Sequence, residues 1–196
     1  KQALETFHLS LGKTQEENWW QDFFERNTWI FGYGLKYQIL KSVQSQPQYG
    51  GRNVTGKGTE KGDFLLRTEA DVKFTVLVEI KRPDSPILGS KPYRNGAWQL
   101  GEDLTGGVSQ LQANCRRWEV EGSQTEQNRE TLQHEKIYTV HPKGVLVIGT
   151  TTQLNDIAKR NTFELFRRSI TNPEIITFDE LYERAKFIVE HADNAP

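Results

Sequence analysis

At 196 residues, 35% hydrophobic and 11% aromatic, the chain is one domain or slightly more, and five Trp with ten Phe supply a substantial core. A net charge of −1 argues against a protein that coats polyanions over its whole surface. One cysteine, Cys115, excludes an internal disulfide and a Cys-based zinc site, and no apolar run approaches a membrane span. No signal peptide opens the sequence, so a reducing cytoplasm and no membrane partner are expected. The four histidines show no metal-ligand spacing. The start at Lys1 and the absence of Met read as a domain of a longer protein, with 1–13 a leader from that parent and 14–196 the domain itself.

In chain order, Phe7, Leu9 and Leu11 alternate as in an edge strand or the end of a preceding part. Thr14 with Glu17 spells a capping box for a helix from Glu16 to about Arg26, its Trp20 and Phe24 facing the core. Glu17 lies one turn before Trp20 on nearly the same face. It is either the N3 partner of the cap or an acidic site residue. Trp29 to Gln44 reads as extended. Gln46 to Lys61, carrying Arg52, Lys57 and Lys61, is a loop or hairpin tip that either tracks a phosphate backbone or is simply solvated.

The organising stretch is a predicted β-hairpin: Gly62-Asp63-Phe64-Leu65-Leu66, a turn at Glu69-Ala70-Asp71, then Val76 to Pro83. Val76, Val78 and Ile80 leave one face as an apolar row that must be buried, and Glu79 and Lys81 leave the other. A hairpin symmetric about Asp71 pairs Leu65 with Leu77 and sets Asp63 opposite Glu79. Facing carboxylates repel unless a cation sits between them. A hard divalent ion with oxygen ligands, Mg²⁺ above all, is the natural resident for Asp63 and Glu79. Lys81 would then orient a water or neutralise developing charge, a constellation suited to phosphodiester hydrolysis. Both carboxylates are expected to be solvent-accessible in a cleft. From Arg52 to Arg94 nine Lys/Arg stand against six Asp/Glu, a local +3, so DNA contact should be confined to this region.

Pro83 to Gly101 reads as an irregular connection holding Lys91, Arg94 and Trp98. A helix follows from about Glu102 to Glu121, with Leu104, Val108, Leu111, Cys115 and Trp118 as its apolar stripe and Gln110, Asn114 and Arg117 as a polar one. Ser123 to Lys136 reads as a mobile loop. Gly144 to Gly149 is a central strand buried on both faces. A helix over Asp156 to about Arg168 buries Ile157, Phe163 and Phe166 at least in part. Ile175-Ile176 is a short strand, and Thr177 to Glu180 caps a last helix. The sum is an α/β fold, a central mixed sheet flanked by helices.

Gly62-Asp63 followed by Glu79-Ile80-Lys81 resembles the split active-site motif of the PD-(D/E)xK nuclease superfamily, with Gly62 in place of its proline. Within it, Glu17 to Ile30, Val78 to Pro83 and Asn172 to Leu181 are similar to the Shedu antiphage-defence proteins and their C-terminal nuclease domain. The resemblance implies a restriction-endonuclease-like core and an oligomeric (dimer or tetramer) Mg²⁺-dependent DNA endonuclease, Mn²⁺ substituting, in bacterial defence against phage. Its N-terminal region would sense the target or restrain activity, and that region is mostly absent here. By the same resemblance Gln110 supports the site, unless it is a surface residue. Glu17 falls where related mismatch-repair nucleases carry a Glu. The alternatives are a repair or restriction nuclease of the same superfamily, or a catalytically silent domain for DNA binding or assembly.

Overall fold

The computed structural model describes residues 1–35, 39–45, 64–69 and 72–192. Its centre is a mixed five-stranded sheet in the order β1 (Ile39–Ser45), β2 (Phe64–Glu69), β3 (Lys73–Ile80), β6 (Ile137–Val147), β7 (Glu174–Ile176). The first three strands run antiparallel, and β3, β6 and β7 are parallel. Between β3 and β6 the chain forms a separate hairpin, β4 (Leu88–Pro92) and β5 (Trp98–Leu100), then α3 (Glu102–Val120) and α4 (Glu126–His134). This is the predicted mixed sheet flanked by helices, compatible with a restriction-endonuclease-like core. Among the described residues no helix is long and apolar enough to cross a membrane.

Alternation along β3 decides which layer each residue joins. Val76, Val78 and Ile80 are at most 1% exposed and pack with α1 (Gln2–Leu11), α2 (Glu17–Arg26) and α6 (Phe178–Ala192) through Phe7, Trp20, Phe24 and Leu181. Leu77 points the other way, into a second core with Leu111, Cys115 and Trp118 of α3, Leu132 of α4 and Phe163 of α5 (Ile157–Ser169). β6 lies between β3 and β7 and is buried from Gly144 to Val147, as its glycine-bounded apolar run predicts. The apolar stripe of α3 is likewise buried at all five positions.

Several expectations give way to longer-range packing. The expected edge strand near the start is the helix α1, because Leu4, Phe7 and Leu11 recur at helical spacing and Phe7 meets Trp20, Phe24 and Tyr182 edge-on at 5.4–5.7 Å, while Leu9 is exposed. The Thr14 cap does not form: α2 begins at Glu17, its N-cap is Glu16, and no side chain caps it. Thr28–Leu35 is 3₁₀ helix rather than extended chain, and strand begins only at Ile39. The expected loop over Ser123 to Lys136 contains α4, anchored by buried Leu132. Ile157 is exposed, because Asp156 is the N-cap of α5 and the core-facing side of that helix starts further on, at Phe163. The Thr177–Glu180 cap forms as read: Glu180 Oε2 accepts from Thr177 N at 3.0 Å, and Glu180 N donates to Thr177 Oγ1 at 3.4 Å. Gln46 to Lys61, with Arg52, Lys57 and Lys61, lies outside the described residues.

Candidate active site

β2 and β3 pair with Leu65 opposite Leu77 and Phe64 opposite Val78, the register that hairpin symmetry predicts. Asp63 and the turn residues Ala70 and Asp71 lie outside the described residues. Glu79 and Lys81 leave β3 on the α3 side, two residues apart. The ladder continues past the strand end, because Lys81 N donates to Val147 O at 2.9 Å and Gly149 N to Arg82 O at 3.0 Å. That continuation fixes the Lys81 backbone beside the sheet.

Contrary to expectation, Glu79 is not solvent-accessible; it is 4% exposed. The cause is α3. Gly107 of that helix comes so close to the sheet that a Cβ there would lie 3.1 Å from Leu146 Cδ1 and 3.6 Å from Lys81 Cε. The helix backbone therefore roofs the pair. Under it Lys81 Nζ donates to Glu79 Oε1 at 2.7 Å, while Glu79 Oε2 is buried with no hydrogen-bond partner. Burial pushes the Glu79 carboxyl above its usual range, the Lys81 bond and charge oppose this, and the charge of Glu17 pushes it up again.

That last effect places Glu17. The first residue of α2 and half-buried, it stands close enough for its charge to act on both Glu79 and Arg82. Arg82 is held in turn by a two-pronged bond to Asp84, a pair not anticipated from sequence. The structure thus brings Glu17, Glu79, Lys81 and Arg82 to one end of β3. Gln110 is exposed one turn along α3 from Gly107 and is not drawn into the Glu79–Lys81 bond. In the polar stripe of α3, Asn114 proves fully buried with both amide atoms unpaired, and Arg117 is half-buried.

Among the described residues no three His, Cys, Asp or Glu side chains gather to hold a metal. The donors that are present nonetheless suit a hard cation: Glu79 offers a buried, unpartnered carboxylate oxygen, and the neighbouring Glu17 adds only oxygen ligands. Gly107 and Arg82–Asp84 are what sequence reading missed. The Gly106-Gly107 pair inside an otherwise regular helix was the visible signal for the first.

The family model "Shedu protein SduA, C-terminal" matches residues 14–182. The Shedu protein SduA of Bacillus cereus (strain B4264) is 30% identical over 192 residues, covering 97% of this chain and 50% of that relative. The chain therefore spans half the length of the relative. The matched region contains Glu17, Asp63, Glu79, Lys81 and Gln110 together with all five strands of the sheet. The chain belongs to the Shedu protein SduA C-terminal family.

Proposed function

We propose that this chain is a metal-dependent DNA endonuclease that hydrolyses phosphodiester bonds in bacterial defence against phage. The observation that carries the reading is the buried Glu79 with an unpartnered oxygen, bonded to Lys81 at the end of a central strand. Asp63 and Glu79 are the proposed Mg²⁺ ligands, with Mn²⁺ able to substitute and Glu17 able to complete the shell. Bound there, the ion would polarise a phosphoryl oxygen and lower the pKa of a water. Lys81 orients the attacking water and offsets charge building on the phosphate. The α3 roof excludes bulk solvent and strengthens both effects. Gln110, exposed one turn from Gly107, supports the substrate side. Homo-oligomerisation (dimer or tetramer) and a cytoplasmic location belong to the same proposal.

A second reading has one observation in its favour: Glu79 is taken out of solvent and bonded to Lys81, as in a structural ion pair. In that case the domain binds DNA or assembles without cutting. Nicking of supercoiled plasmid separates the two. Cutting in Mg²⁺ that stops in EDTA and in Lys81→Ala is expected. Cutting that persists in Lys81→Ala would refute the assigned chemistry.

A further inference from the structure

The β4–β5 hairpin is an arm anchored at its base and exposed at its tip. Its base is fixed at the same end of the sheet as Glu79 and Lys81. Gly101 N donates to Ile87 O at 2.9 Å, buried Ile87 lies under Gly149, and Gln153 accepts from Ile87 N at 3.0 Å while donating to Ser85 O at 3.0 Å. Only glycine fits at position 101, where a Cβ would lie 2.1 Å from Pro86 O. The flank is braced by α5, with Trp98 N donating to Thr162 Oγ1 at 3.1 Å and Lys159 Nζ 4.6 Å from the centre of the Trp98 ring.

The tip is preorganised. Asn95 (φ 50) and Gly96 (φ 78) both take left-handed backbone, and Ala97 N donates to Arg94 O at 2.8 Å, which together make the two-residue turn that suits hairpin twist. Residues 91–97 are all exposed. Tyr93 is 66% exposed with the Arg94 guanidinium 5.9 Å over its ring. No acidic residue occurs between Asp84 and Glu102, and neither Lys91 nor Arg94 makes an ion pair with a described residue. An exposed aromatic between two unpaired cations fits a sugar–phosphate backbone. The cleft between the arm and α3 is lined by Glu102 and Asp103 at the start of the helix, which repel phosphate there, and by Tyr93 toward the tip.

Reach matters too. From Gly101 to Gly107, which lies against Lys81, is about 9 Å of helix at about 1.5 Å per residue. From Leu88 to Arg94 is about 20 Å of strand at about 3.3 Å per residue. With about 5 Å for the step between the paired strands and the 3.6 Å from a Gly107 Cβ to Lys81 Cε, the tip lies within about 38 Å of Lys81, less than two turns of duplex at ~34 Å each. We propose that the β4–β5 hairpin is a second DNA contact of this chain, with Lys91, Tyr93 and Arg94 gripping the backbone of a duplex within two turns of the phosphate held at Glu79 and Lys81. This rests on the nuclease reading of that site.

The test is fluorescence anisotropy of a 20-base-pair duplex in EDTA, where binding is read without cutting, across a salt series. The parent chain is compared with the combined variant Lys91→Ser, Tyr93→Ser, Arg94→Ser. Losing two phosphate contacts should lower the slope of log affinity against log salt by about 2 and weaken binding about tenfold or more near 100 mM salt. The melting temperature should be unchanged, since all three side chains are exposed. Equal affinity and slope in the variant would overturn the hairpin proposal, and plasmid nicking that still depends on Lys81 would leave the nuclease reading standing. A parent chain that neither binds duplex nor nicks it would overturn both.

Discussion

Gly106 and Gly107 are adjacent on one helix, and the structure assigns them opposite responses to one methyl group. A Cβ at Gly106 meets nothing within 4 Å. Gly106→Ala therefore gains only helix propensity, about 1 kcal/mol. At Gly107 the same Cβ lies 3.1 and 3.2 Å from the two Leu146 methyls. Leu146 is fully buried under β3 and β6 neighbours and has no room to yield, so overpacking of about 1–3 kcal/mol offsets the propensity gain. The two variants should differ by about 1–3 kcal/mol, or about 0.5–1.5 M in urea midpoint at a slope of about 2 kcal/mol/M. Unfolding followed by tryptophan fluorescence would report it. The 3.6 Å to Lys81 Cε is ordinary contact, so the cost falls on the packing against Leu146. If Gly107→Ala stabilised the chain as much as Gly106→Ala does, the close approach of α3 to the sheet, and with it the roof over Glu79, would be refuted.

Two further outcomes follow from titratable groups away from the site. Burial pushes the Glu180 carboxyl up, but bonds from Arg167 at 2.7 and 2.8 Å and from Thr177 hold it below its usual 4.5. A lowered folded pKa stabilises above the unfolded value and is lost as pH falls through the folded one. Glu180→Gln should therefore cost about 1.5–3 kcal/mol at pH 7 and progressively less below about pH 4.5, and a pH-independent cost in urea titrations would contradict the network. Burial, with a smaller push from the charge of Glu119, takes the Cys115 thiol up to about 12. An aromatic disulfide reagent at pH 8 should leave the native chain unmodified and label it only on unfolding; rapid native labelling would show that α3 does not pack as described.

How much of this was legible in the sequence depended on whether the deciding contacts were local. The β2–β3 register was readable because alternation and a short turn specify it, and Leu65–Leu77 pair as read. The same holds for the Thr177–Glu180 cap and for the stripe of α3. The α1 helix was misread because Phe7, Leu9 and Leu11 alternate as well as they spiral, and only the aromatic cluster around Phe7 decides between the two. Asn95-Gly96 is among the strongest hairpin signals a sequence can carry, yet Pro83 to Gly101 read as an irregular connection, where the structure has β4 and β5. The burial of Glu79 was not readable at all. It follows from the close approach of α3 at Gly107 to Lys81 and Leu146, which are 26 and 39 positions away in sequence.

The central claim is that Glu79 and Asp63 hold a divalent cation beside Lys81. Calorimetric titration of Mn²⁺ into the chain, into Glu79→Gln and into Asp63→Asn tests it without needing a substrate. Saturable binding in the parent that disappears in both variants, with their near-ultraviolet circular dichroism unchanged, is the predicted result. Binding of equal strength in Glu79→Gln, or none in the parent, would contradict the account.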